Sequence, residues 1–141
     1  MAKILWGTRF PQKSNTLTDK FTSSIAFDKR LAKYDLLGSI AHARMLGSQR
    51  IIPRKDSARI VAWLKAIYLY FKNGKFKFDL RAEDIHSNIQ EAVVKKIGAA
   101  ALRLHTARSR NDQIALDTRM YLLDEVNGLK GGVALLQGAI L

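Results

Sequence analysis

Residues 111–141 read NDQIALDTRMYLLDEVNGLKGGVALLQGAIL, and this stretch decides the fold. Leu122, Val126, Leu129, Val133, Leu136 and Ile140 follow one another at steps of four, three, four, three and four. Such a seam lines one edge of a helix with apolar side chains and wants a partner helix along its length. A helix over the whole stretch spans roughly 46 Å at ~1.5 Å per residue. The preceding part of the chain would make a domain only about 30 Å across, so the helix is expected to project beyond it. Gly128, Gly131, Gly132 and Gly138 each lower helix propensity by about 1 kcal/mol relative to Ala, which close helix packing would offset. The stretch ends without a cap, in GAIL. The expectation is a chain cut in mid-architecture, its seam completed by later sequence or by another subunit.

The rest of the chain also reads as helical. Leu17 to Ser24 fits a short helix, and Asp28 suits the N-cap of the next. Leu31, Tyr34, Leu37 with Gly38, Ala41 and Met45 recur at helical steps as one apolar face, and Gly47 suits its end. Pro53 suits the first turn of a third helix, whose stripe is Ile60, Trp63, Leu64, Ile67, Tyr68 and Phe71 and whose close is Lys72-Asn73-Gly74. Ile85, Ile89, Val93 and Ile97 are spaced by four on a helix starting between Ala82 and Asp84 and stopping at Gly98. Residues 1–15, with Trp6 as anchor, read as an irregular arm, and residues 74–81 and 99–108 as connections.

Composition excludes several classes. The 141 residues contain no cysteine, so a disulfide scaffold, a thiol nucleophile and a thiolate metal site are all excluded. No window of 18 residues is free of charge, so a membrane span is not expected. The N-terminus has no signal-type apolar run, and the cytoplasm is the expected compartment. The net charge is +12, and residues 50–81 hold nine basic residues against Asp56 and Asp79. A solvated basic face and an anion-binding surface are both open readings of that excess.

The densest polar run is His105-Thr106-Ala107-Arg108-Ser109-Arg110-Asn111-Asp112-Gln113, just before the long helix. Ser109 or Asn111 can cap that helix, and Asp112 suits its first turn. A helix start offers free N–H groups to an anion, and the two arginines add charge-assisted donors. By itself the run fits a carboxylate or phosphate site, and equally an elaborate cap with two solvated arginines. Glu83-Asp84 and His86 form a second cluster at a helix start, readable as a cap with a surface histidine or as the wall of a site. His42 reads as structural. No histidine pair has ligand spacing, so no metal is expected.

These residues resemble the argininosuccinate lyase and delta-crystallin family. LWGTRF (Leu5 to Phe10) is similar to the family's opening L-W-G-G-R-F; KFTSSIAFDKRL, GSIAHARML, EDIHSNIQ and LHTARSRNDQIALD follow in the family's order. The match covers nearly the whole chain and is weakest over residues 48–80. Thr8 and Ala107 stand where the family usually or often has Gly.

The resemblance implies an all-α, fumarase/aspartase-like fold. An N-terminal helical domain (1–107) would be followed by the first part of a long-helix bundle domain (108–141). It implies reversible cleavage of argininosuccinate to arginine and fumarate, without cofactor, by an enzyme that works as a homotetramer. It gives no reason to expect nucleic acid as a partner. By family position, Ser24, Ser109, Arg110 and Asn111 would bind substrate, Arg108 would support that segment, and Asp84 and His86 would wall the site. The family's catalytic histidine and its mobile serine loop, of the type S-S-x-M-P-x-K-x-N, come later in the family's sequence. No catalytic residue is therefore assigned within these 141 residues, and the chain alone is expected to be inactive. The alternative is a non-catalytic helical protein whose basic face meets an anionic partner.

Overall fold

The computed structural model describes residues 16–141, so the expected arm and its Trp6 anchor lie outside the described residues. Six α-helices follow in order: α1 (Thr16–Thr22), α2 (Ile25–Asp28), α3 (Ala32–Ser48), α4 (Arg54–Lys72), α5 (Ile85–Ile97) and α6 (Arg110–Ile140). Turns of 3-10 helix over Lys29–Leu31 and Gly98–His105 join α2 to α3 and α5 to α6. Among the described residues there is no strand, and no helix is long and apolar enough to cross a membrane.

The core lies between α3, α4 and α5. Leu36, Ala43 and Leu46 of α3 meet Ile60 and Leu64 of α4 and Ile85, Ile89 and Val93 of α5, all at most 1% exposed. The expected stripes of α4 and α5 are the ones buried. Asp84 caps α5 through a hydrogen bond from the Ser87 N–H (2.6 Å). Gly98 ends α5 at φ +65°, in the left-handed region that glycine adopts at least cost.

Five expectations need correction, that of Gly47 among them. The apolar face of α3 is rotated from the expected one: Ala41 is exposed and Met45 is 40% exposed, while Leu36, Ile40, Ala43 and Leu46 point inward. The reason is that α3 is packed by α4, α5 and α6 together, so no single polar face remains, and even Asp35 and Ser39 are buried. Asp28 is not a side-chain cap; its Oδ2 instead accepts from Ser24 Oγ and from the Ile85 N–H. Pro53 stands one residue before α4, as its N-cap. The connection after α5 is largely 3-10 helix, with Ala101 and Leu104 buried.

Gly47 lies within α3 and does not terminate it. A Cβ there would fall 2.3 Å from Ser57 Oγ. The two helices cross closely at this point, and Ser57 Oγ donates to the Ala43 carbonyl (2.7 Å).

The long helix is 31 residues. Its first turns lie against α3, where Gln113 and Asp117 are buried. Tyr121 meets the Tyr34 ring edge-on at 5.9 Å, and Tyr34 donates to Asp124 (2.9 Å), which also pairs with Lys33. From Leu122 onward every residue is exposed, the seam included. Apart from adjacent residues and the helix's own backbone, nothing among the described residues comes within 4 Å of a Cβ placed at Gly128, Gly131, Gly132 or Gly138.

Gly47→Ala is expected to destabilise the chain by about 1–3 kcal/mol, because the added methyl overlaps Ser57 or forces the helices apart. Thermal unfolding followed by circular dichroism measures the loss, and an unchanged midpoint would contradict the close crossing.

Candidate functional site

Three helix starts are tied together by polar contacts. Ser24 precedes α2, Asp84 precedes α5 and Ser109 precedes α6. The Ser24 N–H donates to the Glu83 carbonyl (2.8 Å). Asp28, at the end of α2, accepts from the first N–H of α5, that of Ile85 (3.2 Å). Asp84 then reaches Arg110 at the start of α6, with Nε to Oδ2 at 3.2 Å. The chain folds this way because each start has orphan N–H groups that a side-chain oxygen can satisfy.

The capping pattern fixes what each hydroxyl can still do. Ser109 and Asp112 form a reciprocal capping box: Ser109 Oγ accepts from the Asn111 N–H (3.2 Å), and Asp112 Oδ2 accepts from the Ser109 N–H (3.0 Å). The O–H of Ser109 is left to donate, which suits an anion. Ser24 is the reverse: its O–H donates to Asp28 (2.6 Å), and its lone pairs remain for a donor. The side chain of Asn111 is exposed. Arg110 gives Nη1 to Gln113 Oε1 (2.9 Å). Its solvent-shielded Nη2 finds no partner among the described residues. Leaving a buried donor unpaired costs about 1–3 kcal/mol, and a bound carboxylate would remove that penalty.

Behind these starts lies a buried polar junction of α3, α5 and α6. Asp35 is 1% exposed and His86 3%. His86 Nδ1 lies 3.2 Å from Asp35 Oδ1, and Gln113 Nε2 donates to the same oxygen (2.9 Å). Arg108 donates Nη1 to Ser39 Oγ (2.9 Å) and brings Nη2 to 3.8 Å from Asp35. Burial works to raise the Asp35 carboxyl, but His86, Gln113 and Arg108 together outweigh it and hold it below the ordinary value. Asp117 has the opposite fate. It is fully buried, and neither carboxylate oxygen finds a donor among the described residues. Burial, with Asp35 nearby, pushes it up to about 7 against the opposing pull of His86 and Arg108.

The seven expected site residues thus separate. Ser24, Asp84, Ser109, Arg110 and Asn111 belong to the linked helix starts. Arg108 and His86 face inward, toward Ser39 and Asp35. Asp35 and Asp117 were missed, since neither carries a local signal, and Gln113 stood in the polar run His105 to Gln113 with no role assigned; a buried polar residue is recognisable only once its partners are known. Asp35, His86 and Asp117 each place a donor atom within 4.8 Å of the others, a spacing a metal ion could bridge. The donor set does not fit one: the Gln113 N–H occupies Asp35 Oδ1, and the Arg108 guanidinium stands beside it.

Ala107, just before this segment, has φ +53°, a left-handed conformation that costs a non-glycine residue about 1–2 kcal/mol. His42 Nε2 lies 3.0 Å from the adjacent Thr106 carbonyl and helps to hold the bend.

A family model described as Lyase matches residues 8–140. An argininosuccinate lyase of Pelobacter propionicus is 51% identical over 137 residues, 97% of this chain and 30% of that protein. One of Geotalea daltonii is 52% identical over the same shares. One of Geobacter metallireducens is 54% identical over 122 residues, 86% of this chain and 27% of that protein. The chain spans about 30% of the length of the curated relatives it matches.

Two outcomes follow from this geometry. The raised Asp117 carboxyl means that the folded state prefers the protonated form. Its contribution to stability is therefore complete below about pH 4 and lost as the pH rises through about 7. Asp117→Asn, which cannot ionise, is expected to gain stability over the parent between pH 5 and pH 8, by a few kcal/mol at most; urea unfolding at both pH values tests it, and a constant difference would contradict it. Ala107→Gly is expected to raise stability by up to about 1 kcal/mol, since glycine adopts positive φ freely. A fall in the urea midpoint of that variant would argue against strain at this bend.

Proposed function

The chain belongs to the lyase family, and from that premise we propose that it forms the N-terminal part of an argininosuccinate lyase and holds substrate at the linked starts of α2, α5 and α6. The single observation that carries this reading is the arrangement of His105 to Gln113. The run that resembles the lyase signature is folded as a capped helix start, with a free hydroxyl donor on Ser109 and an unpaired shielded donor on Arg110.

The proposed reaction is an elimination. A base removes a proton from the carbon next to a carboxylate, and the C–N bond breaks. Its electron pair leaves with the guanidinium nitrogen, which takes up a proton, and a carbon–carbon double bond forms. Fumarate and arginine are the products, and no cofactor takes part. In the transition state, negative charge accumulates on the carboxylate beside the carbanion. Donors fixed before that charge develops stabilise it most, because they need not reorganise. Ser109, Arg110 and Asn111 supply such donors here. Ser24, with lone pairs to spare, suits a nitrogen-bearing part of the substrate. Asp84 orients Arg110, while His86 and Arg108 hold the segment from behind. The groups that move protons lie outside these 141 residues.

In this reading residues 1–107 form the N-terminal domain and residues 108–141 open the bundle domain. The exposed seam of α6 would then be covered by bundle helices of a homotetramer, and the enzyme would work in the cytoplasm.

The test is a chimera in which this chain replaces the matching segment of the Pelobacter propionicus relative. The chimera is expected to release fumarate from argininosuccinate, read by its ultraviolet absorbance. Asn111→Ala in that background is expected to lower kcat/KM by roughly 100-fold while leaving the assembly state unchanged. An assembled Asn111→Ala chimera with normal turnover would overturn the site assignment.

A further inference from the structure

The excess positive charge of this chain is set by its composition, and the structure concentrates it. Few of its twelve carboxylates are left to neutralise the surface. Asp28, Asp35 and Asp117 are buried. Asp84 and Asp112 cap helices, and Asp56, Asp79 and Asp124 pair with Arg103, Arg81 and Lys33. Residues 1–15 contain no acidic residue at all.

The consequence is greatest on α4. Its outer face exposes Arg54, Lys55, Arg59, Lys65 and Lys72, and none of these has an ion-pair partner among the described residues. Asp56 is the only acid of the helix, and Arg103 engages it at 3.1 Å. The five cations flank a strip of Ala58, Ala62 and the exposed Leu69 along a helix about 28 Å long at ~1.5 Å per residue. Arg59, Trp63, Ala66 and Tyr70 follow one edge at steps of four, three and four. Tyr70 is 53% exposed, and Lys96 of α5 lies over the Trp63 ring at 5.2 Å from its centroid.

A row of cations beside an exposed aromatic ring, here Tyr70, is the combination that binds a single-stranded polyanion carrying bases: the phosphates meet the cations, and a base stacks on the ring. A membrane surface fits less well. Helices that lie in a bilayer interface bury large apolar residues on the face opposite their cations, whereas here the face of α4 opposite its cations, with Ile60, Leu64 and Ile67, is taken up by the chain's own core, and the exposed Leu69 and Tyr70 lie among and beside the cations. We propose that the outer face of α4 is a docking surface for single-stranded nucleic acid, with Arg54, Lys55, Arg59, Lys65 and Lys72 on phosphates and Tyr70 as the stacking platform. The linked helix starts that carry the proposed lyase site have no part in it, so it stands or falls separately from that reading.

The test is fluorescence anisotropy of the 141-residue chain with a labelled single-stranded oligothymidylate of about 20 nucleotides, titrated at several salt concentrations. Five phosphate contacts predict that log K falls against log salt with a slope of about −3.5. Replacing Arg59, Lys65 and Lys72 by Ala is expected to flatten that slope by about 2. Replacing three cations away from α4 (Lys20, Arg119 and Lys130) is expected to leave it within about half a unit of the parent. Tyr70→Ala should weaken binding about fivefold or more at constant salt, with an unchanged slope. Circular dichroism confirms that each variant is folded. No binding at low salt overturns the proposal. So does an equal loss from both triple variants, which would mean diffuse charge, and so does Tyr70→Ala with parental affinity. Displacement of the oligonucleotide by equimolar polyglutamate, or binding to phosphatidylserine vesicles with none to the oligonucleotide, overturns it in favour of an acidic protein or a membrane.

Discussion

Asp35 is the residue on which the rest depends. It is buried on α3 and gathers donors from two other helices and the segment between them: His86 of α5, Gln113 of α6 and Arg108 just before α6. A buried carboxylate without partners would cost several kcal/mol, so each of these groups is held where Asp35 needs it. The orientation of α6 against α3 and α5 follows from that requirement. Arg108 and Gln113 flank Ser109 to Asn111 in the chain, so the same contacts set where the start of α6 points.

That arrangement gives the two arginines different work. Arg108 turns inward and ends on Ser39 and Asp35. Arg110 turns toward α5, takes Asp84 and Gln113, and retains one unpaired donor. The contacts that position the segment are buried, while Ser109 and Asn111 are exposed. Such a division lets a site be rigid, because exposed donors are preorganised by partners that water cannot reach. Asp117 is the exception within the junction. It adds a second buried carboxylate with no donor of its own, and its proton is held near neutrality for that reason.

The use of carboxylates inside the fold also shapes the outside. Acidic side chains buried in the junction, spent on caps or engaged in local pairs leave the outer face of α4 without counter-charge. A +12 chain does not by itself imply a localised patch. The patch arises because residues 50–81 hold nine basic residues against Asp56 and Asp79, and because the α4 packing turns five of them to one outer face while Arg103 engages Asp56.

Much of this was readable in the residues alone. The four-residue spacing of Ile85, Ile89, Val93 and Ile97, the Asn73-Gly74 stop and the Ser109 cap with Asp112 are local signals, and local backbone chemistry determines them. The signature run at His105 to Gln113 also marked the start of α6 as the candidate site. The apolar face of α3 was misread, because periodicity assumes one buried side and α3 is packed by three helices. Asp35 and Asp117 carried no signal, and Gln113 only its place in the polar run, since a polar residue is stabilised inside only by partners distant in the chain. The sequence by itself therefore determined which segments form the long helices, where α5 and α6 start, and which family they resemble. Only the tertiary structure decided which polar groups face inward and which remain free, because burial and hydrogen-bond partnership are properties of the packed helices and not of any one of them.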